Sequence, residues 1–222
     1  LTLEFGQNAL AATNAFSYNI TDPKKVEELP DFVKEGMAAE AEARGEEGWT
    51  LTLHAPSYVP FMTYSSQRDI KETLYRAYNS RAFGGDNDNM ENIRRIAELR
   101  LKIANLLGYE CYADYVLEDR MAENTPTVQG FLNELLDATF DYAKRDVETV
   151  AEYARSLGFE GEFMPWDWAY YSEKYKEEKY AINDEQIKPY LRLENAKEAV
   201  FMLASKLYGL SFEQVHNIDI YH

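Results

Sequence analysis

A single cysteine, Cys111, stands in 222 residues, so no internal disulfide can form. One unpaired thiol fits a reducing compartment, and the cytoplasm is the expected location, with the periplasm as the alternative. Histidine is almost as scarce: His54, His216 and His222 are the full set. Zinc hydrolysis on a helix needs two histidines at i and i+4 with a glutamate beside the first, and no two of these three have that spacing. Glu213-x-x-His216 is a lone Glu-x-x-His, whereas a carboxylate-bridged metal bundle needs such pairs on facing helices. A Gly-x-Ser-x-Gly elbow and a P-loop are both missing. Gly84-Gly85 lies in an Asp/Asn-rich loop and not before a helix that could cradle phosphate. Taking Asp86 as the first position of a calcium loop puts Ala97 where the bidentate glutamate belongs, and Glu98 falls one residue late. No run approaches the roughly 20 apolar residues that cross a bilayer, and no signal-peptide pattern is present. The expectation is a chain with no catalytic residue and no metal ligand of its own.

Basic residues are also few. Lys and Arg number 23 against 39 Asp and Glu, a formal charge of −16. Such a chain repels nucleic acid and anionic lipid, so neither a nucleic-acid nor a membrane partner is expected. Apolar residues make up 45% and aromatics 14%, with 17 Tyr, which excludes disorder as the main state. A chain this long buries roughly 70% of its unfolded surface without staples. One large domain suits the length, and a sub-division into 1–120 and 121–222 is compatible with it. The first residue is Leu1 and the last, His222, closes an apolar–polar alternation. Both ends read as cut, and the chain as a piece of a longer protein.

Apolar spacing near 3.6 predominates, which predicts an all-α, multi-helix array with one or two short strands. Helices are expected from about Leu3 to Asn19 and from Asp31 to Ala43, the second stopped by Gly45. Trp49 to His54 alternates apolar and polar residues and is the strand candidate. Ile70, Leu74, Ala77 and Tyr78 form one face of a helix within Ser66–Arg81. Another helix runs from Met90 to Leu107 and ends at Gly108. The longest, near 126–157, takes Thr125 as its cap and Pro126 in its first turn, and carries Val128, Phe131, Leu132, Leu135, Leu136, Phe140, Val147, Val150, Ala154 and Leu157. Further helices cover Trp168–Tyr180 and Leu193–Tyr208, and Ile218–His222 reads as an incoming strand. The endings Leu-Gly-Tyr, Leu-Gly-Phe and Tyr-Gly-Leu recur about every fifty residues, but their flanks do not match, so they are not a repeat.

One segment concentrates rings: Pro165-Trp166-Asp167-Trp168-Ala169-Tyr170-Tyr171-Ser172-Glu173-Lys174-Tyr175. The plain reading is a core-packing helix. The sharper one is the wall of a ligand cleft, because Trp and Tyr give broad contact at low entropic cost. Positions 170 and 171 differ by about 100° around a helix, so both cannot enter one core. Trp166, Tyr170, Tyr171 and Tyr175 are therefore the candidate substrate-channel residues.

The same segment, with Lys179-Tyr180 and Lys188-Pro189-Tyr190-Leu191, resembles the middle of the thimet oligopeptidase family of zinc metallopeptidases, in its bacterial peptidyl-dipeptidase and oligopeptidase branch. Phe5-Gly6-Gln7-Asn8-Ala9-Leu10, Pro56-Ser57-Tyr58-Val59-Pro60-Phe61-Met62, Gln67-Arg68 through Tyr75-Arg76-Ala77-Tyr78, Arg100 through Leu106-Leu107-Gly108-Tyr109, and Ile220-Tyr221-His222 agree with it in the same order. The resemblance spans nearly the whole chain and implies hydrolysis of short peptides in a channel between two helical halves. It also implies Zn2+ held by a His-Glu-x-x-His helix and a downstream Glu. This chain stops before such a helix, so the zinc is expected in the complete enzyme and none on this fragment. The fragment is then scaffold and channel wall, inactive alone, and inclined to self-associate. The competing reading is a non-catalytic helical peptide-binding or scaffold domain.

Overall fold

The computed structural model describes residues 1–181 and 187–217. The chain is 68% helical, with a single two-stranded sheet among the described residues. In order, the elements are α1 (Thr2–Ala15), β1 (Tyr18–Ile20), α2 (Asp31–Arg44), β2 (Trp49–Leu51), α3 (Ala55–Tyr64), α4 (Arg68–Asn79), α5 (Met90–Leu106), α6 (Tyr112–Leu117), α7 (Thr125–Ser156), α8 (Pro165–Tyr180) and α9 (Leu193–Tyr208). Short 3-10 turns occupy Pro23–Lys25 and Lys188–Tyr190. The chain forms two compact units, Leu1–Tyr175 and Lys176–His222. The strand expected over Ile218–His222 lies outside the described residues.

In the first unit the core gathers around the small sheet. β1 pairs antiparallel with β2, Tyr18 opposite Leu51 and Ile20 opposite Trp49. Helix α2 contributes Val33, Met37 and Ala41, four residues apart on one stripe. Phe61 and Met62 of α3, Ile70 and Leu74 of α4 and Trp166 of α8 complete the core with Ile20, Val26, Leu29, Leu51 and Leu53. The turn into β2 requires a glycine. Gly48 has φ +91°, and a Cβ there would lie 2.3 Å from the Ile20 carbonyl oxygen. The buried Thr50 hydroxyl donates to Glu46 Oε2 at 2.6 Å and accepts from Asn19 Nδ2 at 2.9 Å, fixing this corner.

Helix ends follow the sequence signals closely. Gly45 caps α2 in the left-handed region. After α7, the Gly158 N–H reaches the Arg155 carbonyl at 3.0 Å and the Phe159 N–H the Ala154 carbonyl at 3.0 Å, the paired bonds of a Schellman cap. Gly108 and Tyr109 repeat the pattern after α5. Two expectations are corrected. The first helix stops at Ala15 instead of Asn19, because residues 18–20 are taken up by the sheet. The cap of α7 is Asn124, not Thr125; its side chain accepts from the Thr127 N–H at 3.0 Å, and Thr125 already lies inside the helix with Pro126.

Helix α7 is unbroken over 32 residues, roughly 48 Å at 1.5 Å per residue. Val150, Ala151 and Ala154 near its C-terminal end are buried. Every residue from 129 to 149 is exposed, including Phe131, Leu132, Leu135, Leu136, Phe140 and Val147. In the second unit, α9 has no buried residue, and Phe201 stacks on Phe212 with ring centroids 4.4 Å apart. No described helix is long and apolar enough to cross a membrane.

Candidate functional site

The aromatic segment forms the start of α8, and α4 holds it in place. Asp167 is the third residue of α8 and is buried, its carboxylate receiving three bonds. Arg68, the first residue of α4, donates Nε to Oδ1 at 2.9 Å and Nη2 to Oδ2 at 3.0 Å. The Met164 N–H donates to Oδ2 at 2.9 Å, which closes the first turn of α8 from within. Arg68 Nη2 also reaches the Glu162 carbonyl at 3.0 Å. A side-on fork of this kind is stronger and more directional than a point-charge contact. The bond to Asp167 pushes the Arg68 proton affinity above its already high value, so this guanidinium stays charged.

Rings surround this pair. The Arg68 guanidinium carbon lies 5.2 Å from the Phe159 ring centroid and 5.9 Å from that of Trp166. Arg76, two turns further along α4, sits 5.0 Å from the Trp166 ring. Trp166 tilts against Tyr75 at 5.8 Å and is buried in the core. Its indole N–H has no hydrogen-bond partner among the described residues.

The other three candidates are half-buried. Tyr171 meets Phe159 edge-on at 5.4 Å and Phe163 at 6.1 Å, and burial raises its phenol pKa above the ordinary value. Tyr170 packs against Tyr171 at 5.0 Å. Tyr175 turns toward α7, 5.3 Å from Tyr153, whose hydroxyl donates to the Lys174 carbonyl at 3.4 Å. The structure thus brings Tyr170 and Tyr171 together, places Trp166 in the core and sets Tyr175 against a different helix.

Sequence reasoning missed Lys71. It lies on α4 between Ile70 and the following turn, and only 1% of it is exposed. Its Nζ stands 4.5 Å from the Tyr170 ring centroid and 6.0 Å from that of Tyr171. Burial lowers its pKa to about 8, opposed by the negative charges of Asp167 and Glu28. No local pattern marks a lysine as buried, since the partners that enclose it lie about a hundred residues downstream.

The arrangement is suited to binding: phenol hydroxyls and ring faces give contact area and hydrogen-bond donors. No group of three or more His, Cys, Asp or Glu among the described residues is placed to hold a metal ion. His54 precedes α3 as its cap residue, and His216 lies in the irregular stretch after α9. Zinc, which the family resemblance implies, therefore does not fit the donors described in this chain. A cleft of about 280 Å³ between α2 and the start of α3 holds Glu40 and His54, but the Glu40 carboxylate is bonded to Arg44 at 2.7 Å.

The chain is thus mainly helical, with an aromatic helix anchored by the Arg68–Asp167 fork. The model of peptidase family M3 matches residues 61–222, and the chain belongs to that family, the thimet oligopeptidase family. It is 35% identical over 224 residues to oligopeptidase A of Salmonella typhimurium, an alignment covering 99% of this chain and 33% of that protein. The organellar oligopeptidase A of Arabidopsis thaliana is 38% identical over 222 residues, covering 96% of this chain and 28% of its own length. Dipeptidyl carboxypeptidase of Escherichia coli is 30% identical over 230 residues, covering all of this chain and 33% of that protein. The chain spans about a third of the length of the curated relatives it matches.

Proposed function

We propose that this chain is the helical scaffold and part of the substrate-channel wall of a longer zinc-dependent oligopeptidase or peptidyl-dipeptidase that hydrolyses short peptides. The observation that carries the reading is the alignment of 99% of this chain with a third of an oligopeptidase A. The donor set supports the division of labour: the residues described here offer rings and hydroxyls, and the zinc-binding His-Glu-x-x-His helix belongs to another part of the longer protein. The zinc would supply activated water and carbonyl polarisation there. Tyr170 and Tyr171 contribute contacts that do not depend on the peptide's side chains, ring area and donors toward its carbonyls. Trp166 supports them from the core.

Two measurements test this. The isolated chain should retain no stoichiometric zinc after dialysis and should cleave no peptide; one-to-one zinc by elemental analysis would overturn the division of labour. In the full-length protein, Tyr171→Ala should lower kcat/KM with little change in Tm. Loss of activity in proportion to loss of stability would mean that the ring is core alone.

A further inference from the structure

The least expected group in the structure is the Lys71 ammonium. A buried lysine carries a desolvation cost of several kcal/mol unless something compensates its charge. No described hydrogen bond or ion pair of Lys71 provides that compensation. What faces it is the Tyr170 ring at 4.5 Å, with Tyr171 beyond at 6.0 Å. The charged groups around it are Arg68 on its own helix, Asp167 on α8, and Glu28 in the turn before α2. Asp167 is already engaged by Arg68 and by the Met164 N–H, so it acts on Lys71 only through space. Lys174 approaches the same Tyr170 ring at 5.0 Å from within α8. The ring-to-cation contact is therefore what Lys71 makes across from α4 to α8.

We infer that Lys71 is a positioning residue for peptide binding: its buried ammonium holds the Tyr170 and Tyr171 rings in the orientation that receives the substrate. This rests on the reading above that those rings line the channel. Lys71 does not touch the peptide; it acts through the rings. Its effect falls on substrate affinity and not on the chemical step, because it acts only through rings that bind. The lowered proton affinity adds a signature. The hold weakens as pH rises through about 8, where the amine loses its charge.

The test uses the full-length protein and a short synthetic peptide. Lys71→Met keeps the length of the side chain and removes the charge. It should raise KM roughly three- to tenfold, the range that a contact of about 1 kcal/mol implies, with kcat nearly unchanged. Tm at pH 7 should hold or rise, since a buried charge is gone. In the unaltered protein KM should climb as pH passes about 8, and Lys71→Met should flatten that climb. An unchanged KM with an unchanged pH profile overturns the inference. A fall in Tm together with kcat also overturns it, by assigning Lys71 a structural role alone. Tyr171→Ala separates the two failures. If it leaves kcat/KM intact, the channel reading fails. If it raises KM while Lys71→Met does not, only the role of Lys71 fails.

Discussion

The Asp167 carboxylate is buried and answered by Arg68 and one backbone N–H, so loss of the fork would leave it desolvated with a single donor. Removing one partner of a buried pair leaves the other desolvated, which costs about 3–5 kcal/mol. Arg68→Ala should fall at the low end, about 3 kcal/mol, because the Met164 N–H still serves Oδ2 and the guanidinium side is partly open to water. Urea unfolding of Arg68→Ala, Asp167→Ala and the double variant should give a double loss smaller than the sum by about 1 kcal/mol or more. Strict additivity would show that the two charges do not depend on each other. Lys71 makes the second residue-scale prediction. Its pKa falls from the ordinary 10.5 to about 8 in the folded chain. Between those values the unfolded chain binds the extra proton, so the contribution of Lys71 to stability rises with pH from about 8 to about 10.5. Below pH 8 both states are protonated, and the desolvation cost of the buried charge is present in full. Stability of Lys71→Met should exceed that of the unaltered chain at pH 7, and the gap should narrow by pH 10. A gap independent of pH would mean that the amine is solvated in the folded chain.

At the scale of elements, α7 separates what a sequence period reveals from what it cannot. The apolar stripe from Val128 to Leu157 announces a helix, and the helix is there without a break. The stripe does not say what covers it, and every residue from 129 to 149 is exposed. An uncovered helix depends on propensity alone, which is marginal in water. Amide hydrogen exchange of the isolated chain should therefore be faster over 129–149 than over Val150–Ala154 or along α2 and α4. Equal protection would show that this face is covered in solution. Helix ends were legible wherever chemistry is local, as at Gly45, Gly108, Gly158 and Gly209, where one residue and its immediate neighbours decide the cap. β1 was not legible. Nothing between Leu3 and Asn19 stops a helix, and the strand over Tyr18–Ile20 exists because Trp49–Leu51 pairs with it. The aromatic cluster was legible as a composition, but its anchor was not. Arg68 and Asp167 lie 99 residues apart, and neither position carries a mark of the other. The same distance hid the burial of Lys71.

Across the whole molecule, the apolar residues left in water are too many to be incidental. In the first unit they include Phe131, Leu132, Leu135, Leu136 and Phe140 on α7, with Ile93 and Ile103 on α5. Ile93 and Ile103 also border two adjoining grooves of about 380 and 430 Å³ beside α1. In the second unit Val200, Met202, Leu203 and Leu207 leave α9 apolar and bare. Isolated exposed apolar side chains are ordinary, but contiguous stretches on this scale mark surfaces that meet other protein. In the proposed setting the remaining two-thirds of a longer polypeptide supplies that cover. Without it, the hydrophobic effect acts between copies, opposed by the mutual repulsion of chains with net charge −16. The balance depends on salt, since a Debye length of about 8 Å at physiological ionic strength screens the repulsion and leaves the apolar attraction intact. The isolated chain should therefore self-associate in sedimentation velocity, more strongly at high salt than at low. Leu132→Glu together with Leu136→Glu should shift it toward monomer without lowering helical content. A chain that stays monomeric at all concentrations and salt levels, and binds no dye that reports apolar surface, would show that these faces need no cover and that the 222 residues form a self-sufficient domain.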